Sequence, residues 1–370
     1  MKTLLITILL VFAPCVFAGQ TFAEFIAQIK IEAEQQGIRP TVVDELFGTK
    51  PKANAFIVDR YRPRTTDELY IGRAPCRGFK PQKNADKFLE NQCRYLSKKR
   101  LTKAKKLMKD PLILAALIKV ESEYDVDKEA IVALWSIESY FGLFQGKHNI
   151  PHVLATLAWH PKERRNSLFK RELFAALKIY AAGHVTKENF KGSWAGAMGQ
   201  IQFMPTAFLT FAQDGDGDGK ADIWNNEADA FASAACYLKH LGWQKGAKWK
   251  DDFKLTQKIN KGLFYETGLS KGKVYKRNKK GKVVYNEGKP VIRKHKPFRL
   301  PIYAFKARGV PVPKGVNPNN FAYLYLPNGN KAQKSGYFLY ENFHAVLSWN
   351  LSSYFAFGIL SIMDELKEDP

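Results

Sequence analysis

The sequence is poor in cysteine and in acidic residues. Its 370 residues include four cysteines, and 35 Asp and Glu stand against 58 Lys and Arg. The cysteines form neither a Cys-x-x-Cys pair nor a cluster with histidine, which excludes a structural zinc site of the usual type. Beyond the N-terminal segment the chain also lacks an apolar run of about 20 residues, the length that a membrane-spanning helix needs.

The N-terminal 18 residues have the pattern of an export signal. Lys2 supplies the positive charge, residues 4–13 the apolar run and residues 16–18 the small-residue cleavage site. Cys15 lies in a context that fits a lipoprotein signal poorly. We therefore expect residues 1–18 to be a cleaved signal peptide and the mature chain to be exported, without a transmembrane segment.

Positive charge dominates the mature chain. Loss of Lys2 lowers the 58 basic residues to 57, which against 35 acidic residues gives a formal net charge of +22. Such a charge favours an acidic partner. Nucleic acid is not expected, because an exported protein seldom meets it, and an acidic polymer of the cell envelope fits better. Solubility alone is the alternative explanation.

Hydrophobic periodicity predicts a mainly α-helical protein. Thr21 and Glu24 form a capping box that starts the first helix. We expect four parts after the signal: an N-terminal helical region at 19–126, a helical core at 127–244, a basic insert with small β structure at 245–340 and a C-terminal helix at 341–370.

The basic insert is most strongly charged over residues 271–300, which contain twelve Lys and Arg and one acid. Residues 274–275 and 283–285 flank an Asn-Lys-Lys-Gly turn, a pattern typical of a β-hairpin. Further short strands are predicted at 321–326 and 337–340. The hairpin at 271–299 either clamps an acidic polymer or is a solvated surface feature.

Three cysteines remain after the signal. Cys76 and Cys93 are able to pair outside the cytosol, and such a bridge would stabilise the fold by about 3 kcal/mol. Cys236 is expected to be a small buried residue in a helix.

The candidate acid is Glu138. It lies in the apolar segment 131–144, where Trp135, Glu138 and Gly142 are predicted to share one helix face. A carboxyl among apolar groups favours its neutral form and is then able to protonate a leaving oxygen. An ordinary polar residue at the helix edge is the alternative. Glu121 also precedes a serine, but its charged neighbours make it the weaker candidate.

A glycine-rich segment follows, GSWAGAMGQIQFMP at residues 192–205. Its small residues let the backbone approach a ligand closely, and Pro205 suits the first turn of the next helix. Ser193 and Gln202 are its candidate ligand-binding groups. Together with Glu138 this predicts a lone acid facing a glycine-rich wall, a site suited to cleaving a sugar polymer. A purely structural turn is the alternative.

The segment DGDGDGKAD, residues 214–222, matches the spacing of an EF-hand calcium loop. The expected ligands are Asp214, Asp216, Asp218, the carbonyl of Lys220, Asp222 and a later acid. The glutamate usual at position 12 is replaced by Asn225, so Glu227 or Asp229 has to substitute through a longer loop. We expect a structural calcium ion and no organic cofactor. A solvated acidic turn is the alternative.

These segments resemble the B-type lytic murein transglycosylases, glycoside hydrolase family 103. The resemblance covers residues 131–243 and resumes over 309–366. It rests on WSIESYFG around Glu138, HPKERR at 160–165, the glycine-rich segment, the acidic loop and ENFHAVLSWNLSSY at 341–354. The N-terminal hundred residues match weakly, and the basic insert looks peculiar to this chain.

The resemblance implies a lysozyme-like α catalytic domain that cleaves the MurNAc–GlcNAc bond of peptidoglycan without water. One glutamate acts first as acid and then as base, taking the proton from the sugar's own C6 hydroxyl so that a 1,6-anhydro ring closes. Most glycosidases use two carboxylates instead. By this match Glu138 is catalytic. The match also implies glycan strands as substrate and cell-wall synthesis proteins as further partners. With the export signal, it leads us to expect a periplasmic protein, associated with the cell wall or the outer membrane.

The same match implies that six residues hold the glycan: Ser193, Gln202, Arg164, Arg165, Tyr237 and Trp349. The arginine pair suits acidic peptide stems, with a solvated basic turn as the alternative. Tyr237 either stacks on a sugar or fills the core. Trp349 stands where the family usually has Tyr, and Phe355 where it often has Tyr. The contacts of this chain with individual sugars are therefore expected to differ from those of the family.

Three other functions are compatible with parts of this pattern. A non-catalytic peptidoglycan-binding or scaffold protein would keep the groove, but Glu138 in an apolar helix argues against it. A water-using muramidase on the same fold would differ in its products. An exported nucleic-acid binder is suggested by charge alone and lacks a recognised motif.

Overall fold

The computed structural model describes residues 19–61, 95–255, 285–286, 289–290, 299–325 and 335–368. The predictions for the export signal and for Cys76 and Cys93 lie outside the described residues. Of the predicted hairpin, Tyr285 is described, in the two-residue strand Tyr285–Asn286 that pairs with Lys289–Pro290. Cys236 is free and half-buried on a helix.

The protein is mainly helical, as predicted. Within the described residues there are thirteen helices: α1 Phe22–Gln35, α2 Pro40–Phe47, α3 Ala55–Arg60, α4 Lys98–Met108, α5 Pro111–Tyr124, α6 Lys128–Glu138, α7 Ile150–Trp159, α8 Asn166–Ala181, α9 Pro205–Phe211, α10 Glu227–His240, α11 Ile302–Lys306, α12 Glu341–Trp349 and α13 Ser353–Lys367. None of these helices combines the length and hydropathy that crossing a bilayer requires.

The chain divides into two compact units. The first contains the described residues of Met1–Leu69 together with Gly146–Met198 and Phe203–Leu209. Its centre is the pair α7 and α8, and α1, α2 and α3 pack against this pair. Nearly all of α7 is buried, as expected for a helix that is apolar on every side. The capping box at Thr21 and Glu24 starts α1 as predicted.

The second unit contains the described residues of Tyr70–Gln145 together with Gly199–Gln202 and Thr210–Pro370. Here α5 packs against α10, and α6 packs against α13. Residues 129–136 of α6 are all buried, so this helix lies at the centre of its unit.

The second unit also contains a four-stranded antiparallel sheet. The strands of the described residues are, in chain order, β1 His148–Asn149, β2 Lys191–Gly192, β3 Lys250–Lys254, β4 Tyr285–Asn286, β5 Lys289–Pro290, β6 Arg299–Pro301, β7 Phe321–Tyr325 and β8 Ser335–Leu339. The strand order in this sheet is β3-β8-β7-β6. Phe253, Leu324 and Phe338 of the sheet pack with Ile302 and Phe305 of α11 in a small apolar core. The strands predicted at 321–326 and 337–340 are present as β7 and β8.

Two predicted helices were wrong in extent. The helix expected to continue to Phe144 ends at Glu138, because left-handed backbone follows it, and Gly142 therefore lies in a turn. The single C-terminal helix expected over 341–370 is two helices, α12 and α13. Asn350 has extended backbone at the end of α12, and the side chain of Ser352 caps α13.

Asp127 connects the start of α6 to the C-terminal helix. Its buried carboxylate accepts hydrogen bonds from Trp243 Nε1 at 2.9 Å, from Lys367 Nζ at 2.7 Å and from the backbone N of Gly246 at 3.1 Å. Burial opposes ionisation, but the bonds from Lys367, Gly246 and Trp243 outweigh it and lower the pKa. The carboxylate is therefore ionised and fully engaged.

Replacing Asp127 by Ala is expected to lower the free energy of unfolding by roughly 3 kcal/mol at pH 7, because Lys367 and Trp243 lose a buried partner. Since the folded pKa is lowered, this contribution is present above the ordinary carboxyl pKa and fades as pH falls below it. Urea denaturation at pH 7 and pH 3 measures both effects.

The matched control is Asp125→Asn. Asp125 forms an exposed ion pair with Lys239, so the loss should stay below about 1 kcal/mol. Equal losses for the two variants at pH 7 would contradict the role given to Asp127.

Candidate active site

Glu138 is the last residue of α6, and a strained turn fixes it there. Tyr140, Phe141 and Gly142 follow with φ values of 53°, 63° and 76°. Left-handed backbone is rare for bulky residues and costs on the order of 1 kcal/mol or more for each. The Ser139 hydroxyl accepts the N–H of Gly142 at 2.8 Å and holds the turn. The side chain of Glu138 is thus presented at a helix end.

The carboxyl of Glu138 lies against an indole. Trp349 Nε1 donates a hydrogen bond to Glu138 Oε1 at 2.9 Å. The residue keeps partial solvent access, yet the protein atoms packed around its carboxyl raise its pKa to about 7, while the bond from Trp349 acts in the opposite direction. Such a group is able to donate a proton near neutral pH and to accept one afterwards.

Glu121, the weaker candidate, has different surroundings. Its carboxylate lies 3.4 Å from Lys128 Nζ and 3.8 Å from Lys245 Nζ. The side chain is occupied by two ion pairs and offers no free carboxyl group for catalysis.

Gln200 is a site residue that sequence analysis did not select. It is buried, and its Oε1 accepts a hydrogen bond from Trp135 Nε1 at 2.7 Å. A Cβ at Gly142 would lie 2.5 Å from the same oxygen, so the turn after Glu138 requires glycine both for its φ and for this contact. The sequence pattern had instead indicated Gln202, two residues later, which has the same type of side chain.

Gln202 has left-handed backbone, with a φ of 52°. Its Nε2 donates to the carbonyl of Gln145 at 3.0 Å and to the carbonyl of Gly199 at 2.9 Å. Both amide donors are therefore used, and its Oε1 has no hydrogen-bond partner among the described residues. This oxygen is the atom that Gln202 has left for a ligand.

Tyr237 lies beside Trp349, the residue that donates a hydrogen bond to Glu138. Its ring packs between Phe211, at a centroid distance of 4.5 Å, and Trp349, at 5.1 Å. The ring is half-buried, and burial raises the pKa of its hydroxyl. The structure therefore brings Tyr237, Trp349 and Glu138 together, whereas the sequence places them far apart.

Ser193, Arg164 and Arg165 belong to the first unit, unlike the residues above. The Ser193 hydroxyl accepts the backbone N–H groups of Ala195 at 3.3 Å and Ala197 at 2.9 Å, which fixes the start of the glycine-rich segment. Arg164 and Arg165 are exposed.

Within this first unit, Arg165 forms an ion pair with Glu163 at 3.3 Å. Arg60, which sequence analysis did not select, lies 3.6 Å from the ring centre of Trp194 and covers it. Both arginines are therefore partly engaged by protein groups.

The acidic loop gathers three carboxylates. One oxygen each from Asp214, Asp216 and Asp229 lies within 4.8 Å of the others. Burial and the nearby charge of Asp216 raise the pKa of Asp229, although three backbone N–H groups, those of Asp222, Gly215 and Asp216, oppose the shift. Asp218 accepts the N–H of Lys220 at 2.8 Å and is not in this cluster. An oxygen-only donor set of this kind fits Ca²⁺.

Known structures define the class to which this fold belongs, the lysozyme-like lytic transglycosylases. SltB3 from Pseudomonas aeruginosa, solved with NAG-anhNAM-pentapeptide, matches with a TM-score of 0.72 and 29% identity over 94% of this chain and 80% of its own. Escherichia coli Slt35, solved with calcium, matches with a TM-score of 0.67 and 22% identity over 95% of each chain.

The amino-acid sequence identifies the family to which the chain belongs. A family model described as a transglycosylase SLT domain matches residues 21–364, so the chain belongs to this family. Membrane-bound lytic murein transglycosylase B of Escherichia coli is 39% identical over 131 residues, 35% of this chain and 36% of that protein. The aligned part thus spans about a third of that relative.

Replacing Glu138 by Gln is expected to stabilise the protein at alkaline pH. The folded pKa of about 7 is raised from the ordinary value of 4.5. Wild type therefore loses stability as pH rises from the lower to the higher value, by on the order of 3 kcal/mol, because only the unfolded chain ionises freely. The amide does not titrate.

Urea denaturation at pH 4.5 and pH 8 measures this difference. The variant should match wild type at the lower pH and exceed it at the higher pH. Glu121→Gln is the control and should show no gain at pH 8, because its ion pairs are lost. A Glu138→Gln difference that does not vary with pH would contradict the raised pKa.

Proposed function

We propose that this protein is a lytic transglycosylase that cleaves the MurNAc–GlcNAc bond of peptidoglycan, with Glu138 as the single acid and base. The observation that carries the proposal is the carboxyl of Glu138, presented at a helix end with a pKa raised to about 7. Family membership supports it, as does the similarity to SltB3, which was solved with an anhydro-sugar peptide.

The reaction needs only one carboxyl group. Neutral Glu138 gives its proton to the bridging oxygen as the bond from C1 of MurNAc to that oxygen breaks. The C6 hydroxyl oxygen of the same sugar then bonds to C1, and its proton passes to the carboxylate of Glu138. The 1,6-anhydro ring closes, no water is consumed and the acid is restored. A pKa near neutrality serves both proton transfers.

Both units contain residues that we propose to contact the glycan. Tyr237 and Trp349 offer aromatic surface for sugar rings, and Gln202 offers its side-chain carbonyl oxygen. Ser193 and the exposed Arg164 and Arg165 are proposed to contact the glycan and its acidic peptide stems.

The proposed setting is the periplasm, reached through cleavage of residues 1–18. The formal net charge of the full chain, +23, suits an acidic envelope polymer. Similarity to a membrane-bound murein enzyme supports a place at the cell wall. Cell-wall synthesis proteins are the proposed partners.

We expect Glu138→Gln to lower the rate of digestion of purified sacculi by at least about 100-fold, because the amide cannot donate the proton. Glu121→Gln, which removes a similar carboxyl from the same unit, should keep the rate within about threefold of wild type. Release of soluble muropeptides measures both rates.

Mass spectrometry of the wild-type products identifies the reaction. Anhydro ends, one water lighter than reducing ends, are expected. Reducing ends would instead identify a water-using muramidase. Binding of sacculi without any turnover would identify a scaffold protein, and undiminished digestion by Glu138→Gln would remove the proposed acid.

The acidic loop is proposed to hold a structural calcium ion between Asp214, Asp216 and Asp229, with Asp218 and the Lys220 carbonyl completing the site. The support is the carboxylate cluster, whose like charges oppose the ionisation of Asp229, and the similarity in fold to Slt35, which was solved with calcium. A bound cation would relieve this repulsion and fix the loop before α10.

Calcium is expected to raise the melting temperature by several degrees. A single site at 100-fold excess over its Kd stabilises by about 2.7 kcal/mol. Differential scanning fluorimetry with EDTA, calcium or magnesium measures the shift, which should be largest with calcium. Asp216→Asn should lose it, whereas Asp252→Asn on strand β3 should keep it. Equal melting temperatures with EDTA and calcium would refute the site.

A further inference from the structure

Trp349 contacts the reacting group itself. Its Nε1 donates a hydrogen bond to Glu138 Oε1 at 2.9 Å. Among the described residues, the carboxyl of Glu138 has no second side-chain partner. The two residues are 211 positions apart and belong to the same unit. The indole ring is fixed in turn by packing 5.1 Å from Tyr237.

An indole N–H differs chemically from a hydroxyl group. It donates one hydrogen bond and cannot accept any. An oxygen that receives this bond must act as an acceptor in both states of the carboxyl group. In a neutral carboxyl the carbonyl oxygen is a much better acceptor than the hydroxyl oxygen, so the bond from the indole favours the form with the proton on Oε2.

We propose that Trp349 is a positioning residue that assigns the catalytic proton to Oε2 of Glu138 and holds that oxygen toward the scissile bond. This rests on the function proposed above. The same oxygen then gives the proton to the bridging oxygen and takes the next one from the C6 hydroxyl. Oε1 stays bound to the indole throughout, so the carboxyl need not rotate between the two steps.

The bond from Trp349 also affects ionisation, because a donor favours the charged form of its acceptor. Burial raises the pKa of Glu138 to about 7 against this effect. Trp349 therefore has two separable actions. It orients the neutral acid at low pH, and by lowering the pKa of Glu138 it lowers the pH at which kcat begins to fall on the alkaline side.

Trp349→Phe separates these actions from simple packing, because it keeps an aromatic ring beside Tyr237 and removes the N–H. We expect kcat to fall about 10-fold or more at pH 5 and the alkaline limb of kcat to move up by about one pH unit. Trp349→Tyr restores a donor, and should return the limb toward the wild-type position with part of the rate. A purely structural role would lower the rate without moving the limb.

An activity-independent measurement uses the indole ¹H–¹⁵N signal of Trp349 in the whole protein, assigned by its absence in Trp349→Phe. This signal should titrate between pH 5 and pH 8.5 with a midpoint near 7 and should stop titrating in Glu138→Gln. The indole of Trp135, which bonds to Gln200, is the internal control and should shift far less.

The outcomes distinguish the two proposals. A Trp349 signal that does not titrate, or an alkaline limb that Trp349→Phe leaves in place, overturns the positioning role even if wild type produces anhydro sugars. A titrating signal in a protein without turnover supports the hydrogen bond and overturns the transglycosylase function instead.

Discussion

The constraint on which the proposed site depends is the need to keep the carboxyl of Glu138 protonated near neutral pH. Burial raises the pKa of this carboxyl. Among the described residues, its hydrogen-bond donor is the indole of Trp349. More hydrogen bonds or a nearby cation would favour ionisation, as they do at Asp127, which accepts three donors and has a lowered pKa. The same unit thus contains two carboxyl groups with opposite pKa shifts, and the number and charge of their donors explains the difference.

Local sequence features were enough to select several parts of the candidate site. Glu138 is a carboxyl within an apolar run, and an ionisable group in that position is unusual enough to be noticed. The acidic loop has a fixed spacing, and three of its expected acids, Asp214, Asp216 and Asp229, do come together. Strands β7 and β8 follow from aromatic runs with strand-like composition. In each case the information lies within a few neighbouring residues.

The remainder depends on contacts that no local pattern contains. The bond between Trp349 and Glu138 and the bond between Trp135 and Gln200 join residues 211 and 65 positions apart. The end of α6 was missed because Tyr140 and Phe141 carry left-handed backbone, which helix propensity does not anticipate in bulky residues. The requirement for glycine at Gly142 likewise becomes clear only when Gln200 is seen beside it.

The acidic loop and the candidate active site each contain a carboxyl that has lost hydration. The two carboxyls differ in what is able to neutralise their charge. Asp229 is fully buried with Asp216 nearby, and its pKa is raised for the same first reason as that of Glu138, loss of hydration. At Glu138 a proton neutralises the group, and the proton is the reagent that the proposed chemistry needs. At Asp229 two further carboxylates lie within reach, so a divalent cation is able to neutralise all three at once. A lone buried acid therefore suits proton transfer, whereas a cluster of acids suits a metal ion.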